Sequence, residues 1–345
     1  MKSKSGLLVF NFAMDKNDPL LAHQNEAVSA LAKKFDEVTV ITGKLGDVEP
    51  NSNIRILKTD WVQGRWLRNV FKLFQVSIPV IIRGDYDSVF FHMTDFQCAL
   101  LSPLIRFRNK RQFLWYAHKH RSKYLVFSSK WITGIVTSTN GSCPLNGKNV
   151  YPIGQAINKE IFKPIPFENL DLNRLVHIGR FDKSKNIDLL ILEARKLRKF
   201  YPNLKFSIIG SPANVESQVW ASELILHSRV EIEEGWLNFK DAITRETFPS
   251  EMARNGCFFH SYLGSLDKTL IEATMLCVPV VTVNPEYTKI FGTWSKTSKP
   301  DLASEYLSLR TLSPVEIKTE LASRLKIAQD NHSLENWILR LTELI

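Results

Sequence analysis

Two stretches in the second half of the chain carry side chains suited to one kind of chemistry. In "VHIGRFDKSKNIDLL", a β-type run breaks at Gly179 into a loop holding Arg180 and Lys185, and a helical pattern opens near Asn186. Ligands of open α/β sheets bind outside the carboxyl ends of the strands, and a guanidinium beside an ammonium there suits a diphosphate. An ordinary solvated basic loop would look the same. In "HSYLGSLDKTLIEATMLCVPVV", a strand runs into the loop "LGSLDKT", a helix follows, and Pro279 lets a further strand begin. Gly264 and Ser265 stand just before Asp267, Lys268 and Thr269, where the backbone N–H groups of a helix start favour an anion. Glu272 lies about one turn into that helix, and a carboxylate there can accept from a vicinal diol such as a ribose. A helix glutamate placed by the macrodipole is the alternative.

The elements that must position these residues follow from hydrophobic periodicity. "GLLVFNF", "EVTVIT", "SVFFH", "QFLWYA" and "TGIVTST" read as strands of a first sheet, with a helix over "HQNEAVSALAKKF" between the first two. A proline-bearing linker spans residues 153 to 171. Beyond it "RLVHIGR", "LKFSIIG" with Gly210 at its end, "RVEIEEG", "GCFFHSY" and "VPVVTV" are the expected strands of a second sheet, with helices such as "NIDLLILEARKLRKF" between them. The fold class expected is α/β, two Rossmann-like doubly wound parallel-sheet domains facing a ligand cleft. The boundaries expected are residues 1–160 and 161–345, with the last helix able to cross back to the first domain.

Composition narrows the function classes. A chain of 345 residues with 44% hydrophobic residues can build two cores. It has no apolar run of about 18 residues, and "MKSKSGLLVFNFAMDKND" turns polar too early for a signal peptide, so a cytoplasmic location is expected. The four cysteines, Cys98, Cys143, Cys257 and Cys277, are scattered without a CxxC pair, which argues against a zinc site or a disulfide framework. A formal net charge of +10 invites anionic partners. One stretch gives that charge a shape: over "GRWLRNVFKLFQ", residues 64–75, Trp66, Leu67, Val70, Phe71, Leu73 and Phe74 gather on one helical face and Arg65, Arg68, Asn69, Lys72 and Gln75 on the other. That pattern fits an anionic membrane surface or, equally, a helix packed on the first sheet.

Together these motifs resemble the retaining glycosyltransferases of the GT-B fold, the group 1 or GT4-like family. "GRFDKSKN" is similar to the family's Gly-Arg, four residues, Lys-Gly/Asn motif, which implies that Arg180 and Lys185, with Gly179 beside them, neutralise the diphosphate of a sugar donor. "LIEATMLCVPVV" is similar to the family's Glu-Ala segment ending in Pro-Val-Val, which implies a ribose contact for Glu272. The histidine closing "FLWYAH", His118, matches a position where the family often has a catalytic histidine facing the transferred sugar; His120 lies one step farther out. Trp236, after "EIEEG", is a candidate to flank the nucleotide base. The chain also departs from the family: Gly264 stands eight positions before Glu272, where a glutamate near the transferred sugar is usual, so Asp267 or backbone groups of "GSLDKT" would take that contact. Ala156 and Asn158 stand where Gly and Asp are common, and "NFAMDKNDP" lacks the glycine pair of many relatives.

The resemblance implies transfer of a sugar from a UDP- or GDP-sugar to an acceptor hydroxyl, attack on the face from which the diphosphate leaves, and neither cofactor nor metal. An Asp-x-Asp metal loop and a nucleic-acid partner are not expected. A lipid-linked or glycan acceptor, reached at the inner face of a membrane, would suit the 64–75 helix. A GT-B sugar-nucleotide epimerase and a non-catalytic sugar-nucleotide-binding protein are the alternatives.

Overall fold

The computed structural model describes residues 5–18 and 20–345; Met1–Lys4 of the N-terminal stretch and Pro19 of the first loop lie outside the described residues. The chain divides into two compact units, Met1–Ala156 with Leu334–Ile345, and Ile157–Ser333.

The first unit holds β1 (Gly6–Met14), α1 (Ala22–Leu31), β2 (Glu37–Leu45), β3 (Ile54–Lys58), α2 (Trp66–Arg83), β4 (Ser88–His92), α3 (Asp95–Phe107), β5 (Arg111–Trp115), α4 (Lys123–Ser128), β6 (Gly134–Thr137) and β7 (Val150–Pro152). Its strands form one seven-stranded sheet in the order β3-β2-β1-β4-β5-β6-β7, with every pairing parallel. The central strands read as near-continuous apolar runs because helices cover both faces, as a parallel sheet requires. All five expected strands are present. The edge strands β3 and β7 escaped the pattern: β3 is half-exposed, and β7 has three residues at the head of what reads as linker.

The second unit holds β8 (Arg174–Ile178), α5 (Ile187–Arg198), β9 (Lys205–Ile209), α6 (Val215–His227), α7 (Arg229–Glu233), β10 (Leu237–Lys240), α8 (Phe248–Ala253), β11 (Cys257–His260), α9 (Lys268–Met275), β12 (Val280–Thr282), α10 (Pro285–Phe291), α11 (Leu302–Thr311) and α12 (Pro314–His332). Its five strands, again all parallel, lie in the order β10-β9-β8-β11-β12. Each sheet thus reverses direction of winding at one place, between β1 and β4 and between β8 and β11, and the carboxyl ends flanking such a point are where doubly wound sheets bind ligands.

One expected strand is corrected. "RVEIEEG" forms the short helix α7, where Arg229 and Glu233, one turn apart, form an ion pair at 2.6 Å; the unit's third strand is the following "LNFK".

Helix α2 also divides differently from its sequence pattern. The side it buries carries Asn69, Leu73, Ser77 and Ile81, each four residues from the next. Asn69 is held in place by Val62, whose N–H donates to its Oδ1 at 3.0 Å and whose carbonyl accepts from its Nδ2 at 2.7 Å. Leu73 therefore joins the core, whereas Leu67, Phe71, Ile78 and Ile82 stay exposed. At about 100° per residue these four fall within an arc of about 60°.

The last helix, α13 (Leu334–Leu344), belongs to the first unit. Its fully buried Trp337 packs edge-on to Trp115, ring centroids 5.5 Å apart, and to Phe90 at 5.8 Å. Truncation of a buried Trp or Phe costs about 3–5 kcal/mol. Trp337→Ala is expected to destabilise the first unit by about that much, read by hydrogen exchange of β4 and β5 amides, with β8 and β11 unaffected. Unchanged exchange in β4 and β5 would show that α13 adds nothing to that core.

Candidate functional site

In the second unit the two chemistry-bearing loops leave the carboxyl ends of β8 and β11, on either side of the point where the winding reverses. Close backbone approach forms the first. A Cβ at Gly210, just past β9, would fall 1.8 Å from the Gly179 carbonyl oxygen, so glycine is required there for β8 and β9 to end side by side. Asp182 then caps a 3-10 turn over Lys183–Lys185, accepting from the Ser184 N–H at 2.9 Å. Asn186 leaves that turn at φ 48°, a left-handed conformation asparagine tolerates, and α5 begins.

The second loop is stitched to the first. The Ser261 hydroxyl is shared between the carbonyls of Lys185 at 2.6 Å and Asn186 at 3.0 Å, and Asn186 Nδ2 donates back to the Ser261 carbonyl at 3.3 Å. Farther along, the buried Asn284 holds the loop by donating to the carbonyls of Tyr262 at 2.8 Å and Ser265 at 3.2 Å, while its Oδ1 caps α10.

Between the loops lies a buried ion pair. Lys185 Nζ donates to Asp267 Oδ2 and stands 4.1 Å from the centroid of the Tyr262 ring; the Lys185 side chain is 9% exposed. Asp267 Oδ2 also meets His260 Nε2 at 3.3 Å. Burial opposes the Asp267 charge, but Lys185 and the hydrogen bond from His260 outweigh it and hold the carboxyl well below the usual carboxylate range. Burial pushes His260 below its ordinary value, with Asp267 countering in part. Its neighbour on β8, His177, is pushed to about 3 by burial and by the proximity of His260.

Asp267 is the residue that precedes α9, yet its side chain makes no capping hydrogen bond. Lys268 and Thr269 open that helix, and Glu272 follows on its buried side, 4% exposed. Glu272 Oε1 accepts from Arg245 Nη1 at 2.5 Å, and the Arg245 guanidinium lies 5.0 Å from the centroid of the Phe162 ring. Arg245 comes from the turn before α8, and nothing in "AITRETFP" marks it.

The structure therefore brings Gly179, Lys185, Gly210, Ser265, Asp267, Lys268 and Thr269 to the strand ends or to the head of α9, with Arg180 exposed on the first loop. Trp236 is a correction. Because its preceding segment is helix α7, it sits before β10, at the amino end of the sheet, packed in the core with Nε1 donating to Glu234 at 2.9 Å.

His118 belongs to the first unit. It is exposed after β5, edge-on to Tyr116 at 5.7 Å, and it lines a cavity of about 350 Å³ with Phe12, Met93, Asp95, Trp115 and Tyr124. This cavity collects the carboxyl ends of β1, β4 and β5. Met93 holds φ 65° at its wall, an uncommon conformation for a side-chain-bearing residue and one associated with ligand sites. Among the described residues no cluster of His, Cys, Asp or Glu could hold a metal ion, and all four cysteines are free.

Residues 158–289, which contain every donor-side candidate, match the family model for glycosyl transferases group 1. The match, to well under half of the chain, makes this segment similar to that family. The two-unit chain as a whole shares its fold with HepE of Anabaena, solved with UDP, with UDP and glucose, and with UDP-glucose: identity is 12%, 98% of each chain is covered, and the TM-score is 0.71 to 0.72. Sucrose-phosphate synthase of Thermosynechococcus elongatus gives 13% identity over 99% of this chain and 98% of that one, with TM-score 0.74. A glycosyltransferase of Rickettsia africae ESF-5 gives 9% over 99% and 97%, with TM-score 0.70. The architecture is GT-B. No curated protein matches the chain significantly in sequence.

Within the matched segment, Arg245 and Glu272 form a pair whose side chains are 13% and 5% exposed. Breaking a buried ion pair costs about 3–5 kcal/mol. Arg245→Ala is expected to lower the unfolding free energy by about that amount in denaturant titration, and Arg245→Ala with Glu272→Gln to recover part of it. A double variant no more stable than the single one would contradict the pairing.

Proposed function

We propose that the protein is a retaining glycosyltransferase that moves a sugar from a nucleoside-diphosphate donor, UDP-linked as in the HepE complexes, to an acceptor hydroxyl in glycan or glycolipid biosynthesis. One observation carries the reading: the Arg180–Lys185 loop and the loop leading to the start of α9 leave the two strands that flank the reversal in the segment matching group 1 glycosyl transferases. A departing diphosphate there meets a guanidinium, an ammonium and the N–H groups near Thr269, the preorganised electrostatic term that dominates such reactions. Glu272 holds the ribose; Arg245 occupies one oxygen, and a carboxylate has further acceptor capacity. Because Asp267 is engaged by Lys185 and His260, the transferred sugar at Gly264 meets backbone groups of "GSLDKT" instead of a carboxylate. His118, in the aromatic-lined cavity of the first unit, is the acceptor-side catalytic residue. The reaction uses no divalent metal.

The acceptor is lipid-linked, and the protein works at the cytoplasmic face of a membrane. Support comes from α2, whose exposed Leu67, Phe71, Ile78 and Ile82 are flanked by Arg65, Arg68 and Lys72, a combination suited to an anionic lipid surface. No described helix is long and apolar enough to cross a membrane.

Incubation with UDP- and GDP-sugars, following nucleotide release with and without candidate acceptors, tests the activity; release with neither donor contradicts it, and binding without transfer points to a non-catalytic binder. Loss of one charge-stabilising donor lowers kcat by about 10²–10³-fold. Arg180→Ala, an exposed position, is expected to lower transfer by that factor with the fold intact, and near wild-type transfer would remove the phosphate assignment. Glu272→Ala is expected to weaken UDP binding more than Glu272→Gln. For the membrane, cosedimentation is expected with anionic but not neutral vesicles, falling about tenfold in Trp66→Ala/Phe71→Ala and in high salt. Equal recovery in the supernatant with both vesicle types would contradict it.

A further inference from the structure

The buried groups around Lys185 form a directional chain. A carboxylate can only accept, so the contact between His260 Nε2 and Asp267 Oδ2, 3.3 Å, requires the proton on Nε2. With the fully buried imidazole neutral, Nδ1 is an acceptor, and its partner at 3.1 Å is the Thr282 hydroxyl. Thr282 Oγ1 in turn accepts from the Asn284 N–H at 3.1 Å, which leaves its own proton for His260. Every donor and acceptor role is filled from the backbone at Asn284, through Thr282, His260 and Asp267, to the ammonium of Lys185.

We propose that His260 is a positioning residue for the diphosphate, acting through Asp267 to hold Lys185 in its binding place. The inference rests on reading this site as a diphosphate site. An exposed lysine loses much rotamer freedom when it closes on a ligand, whereas Lys185 is already fixed between Asp267 and the face of Tyr262. An ammonium has three donors, and Asp267 takes one. The same contact turns the Asp267 carboxylate away from α9, so that the N–H groups at the head of that helix receive no capping side chain from it. One buried histidine thereby prepares both features that meet the anion. Its ring lies at the end of β11, where it meets Asp267 and stands edge-on to Tyr262, ring centroids 6.4 Å apart, the two groups that hold Lys185.

The test compares UDP with uridine by calorimetry. His260→Phe keeps a ring of similar size and removes the N–H that meets the Asp267 carboxylate, so UDP affinity is expected to fall about tenfold or more while uridine affinity stays at the wild-type value. His260→Gln, which keeps an N–H, is expected to recover part of the loss. Thr282→Val, which removes the hydroxyl that orients the ring at nearly constant volume, is expected to weaken UDP in the same direction and serves if His260→Phe does not fold. Equal loss of uridine and UDP in these variants, or unchanged UDP affinity, would overturn the positioning role. Wild-type protein that binds no UDP would overturn the diphosphate reading itself.

Discussion

An ammonium taken out of water must be paired, and at the end of the second sheet the group that must be paired is Lys185. Its partner, Asp267, comes from a different loop, so satisfying one buried charge fixes the separation of the segments after β8 and after β11. Ser261, Asn186 and Asn284 extend that constraint through the backbone, and Gly210 permits it by letting β8 and β9 end in contact. A diphosphate site made of two loops needs such a cross-link, because an error of about 1 Å in the placement of charges is costly to catalysis.

The second buried pair does related work one turn along α9. Burying the Glu272 side chain calls for a partner, and Arg245, backed by Phe162, supplies it. The second unit thus carries two ion pairs on or beside a single short helix, one at its head and one on its buried side. Both involve residues that the proposed function assigns to the donor. Under that proposal, charge compensation within the protein and charge recognition of the ligand are built from the same side chains.

The sequence was most readable where the physics is local. Buried parallel strands such as "SVFFH" and "RLVHI" are near-continuous buried runs, and the loop carrying Arg180 and Lys185 follows the second directly, so strand and loop were found together. The edge strands of the first sheet, β3 and β7, were not, because neither contains a fully buried residue and so each keeps little of the apolar signal. "RVEIEEG" failed for another reason: its alternation matches a strand, but Arg229 and Glu233 lie one turn apart and favour helix, and the misplacement carried Trp236 to the wrong end of the sheet. Arg245 and His260 were missed because their roles arise from partners distant in sequence, Glu272 at 27 residues and Thr282 at 22. In α2 the periodicity put Leu67, Phe71 and Leu73 on one face and Asn69 on the other, but could not tell that Asn69, tied to Val62, would turn toward the core beside Leu73 and leave Leu67 and Phe71 outside.

The central claim is that a nucleoside diphosphate is held jointly by the loop after β8 and the head of α9. Hydrogen–deuterium exchange with and without UDP measures this at the backbone itself, since amides that bind phosphate exchange more slowly. The account predicts that UDP protects residues 180–186 and 265–270 together, with the strands of the first sheet unchanged. Protection confined to one of the two segments, or appearing only elsewhere in the chain, would contradict it.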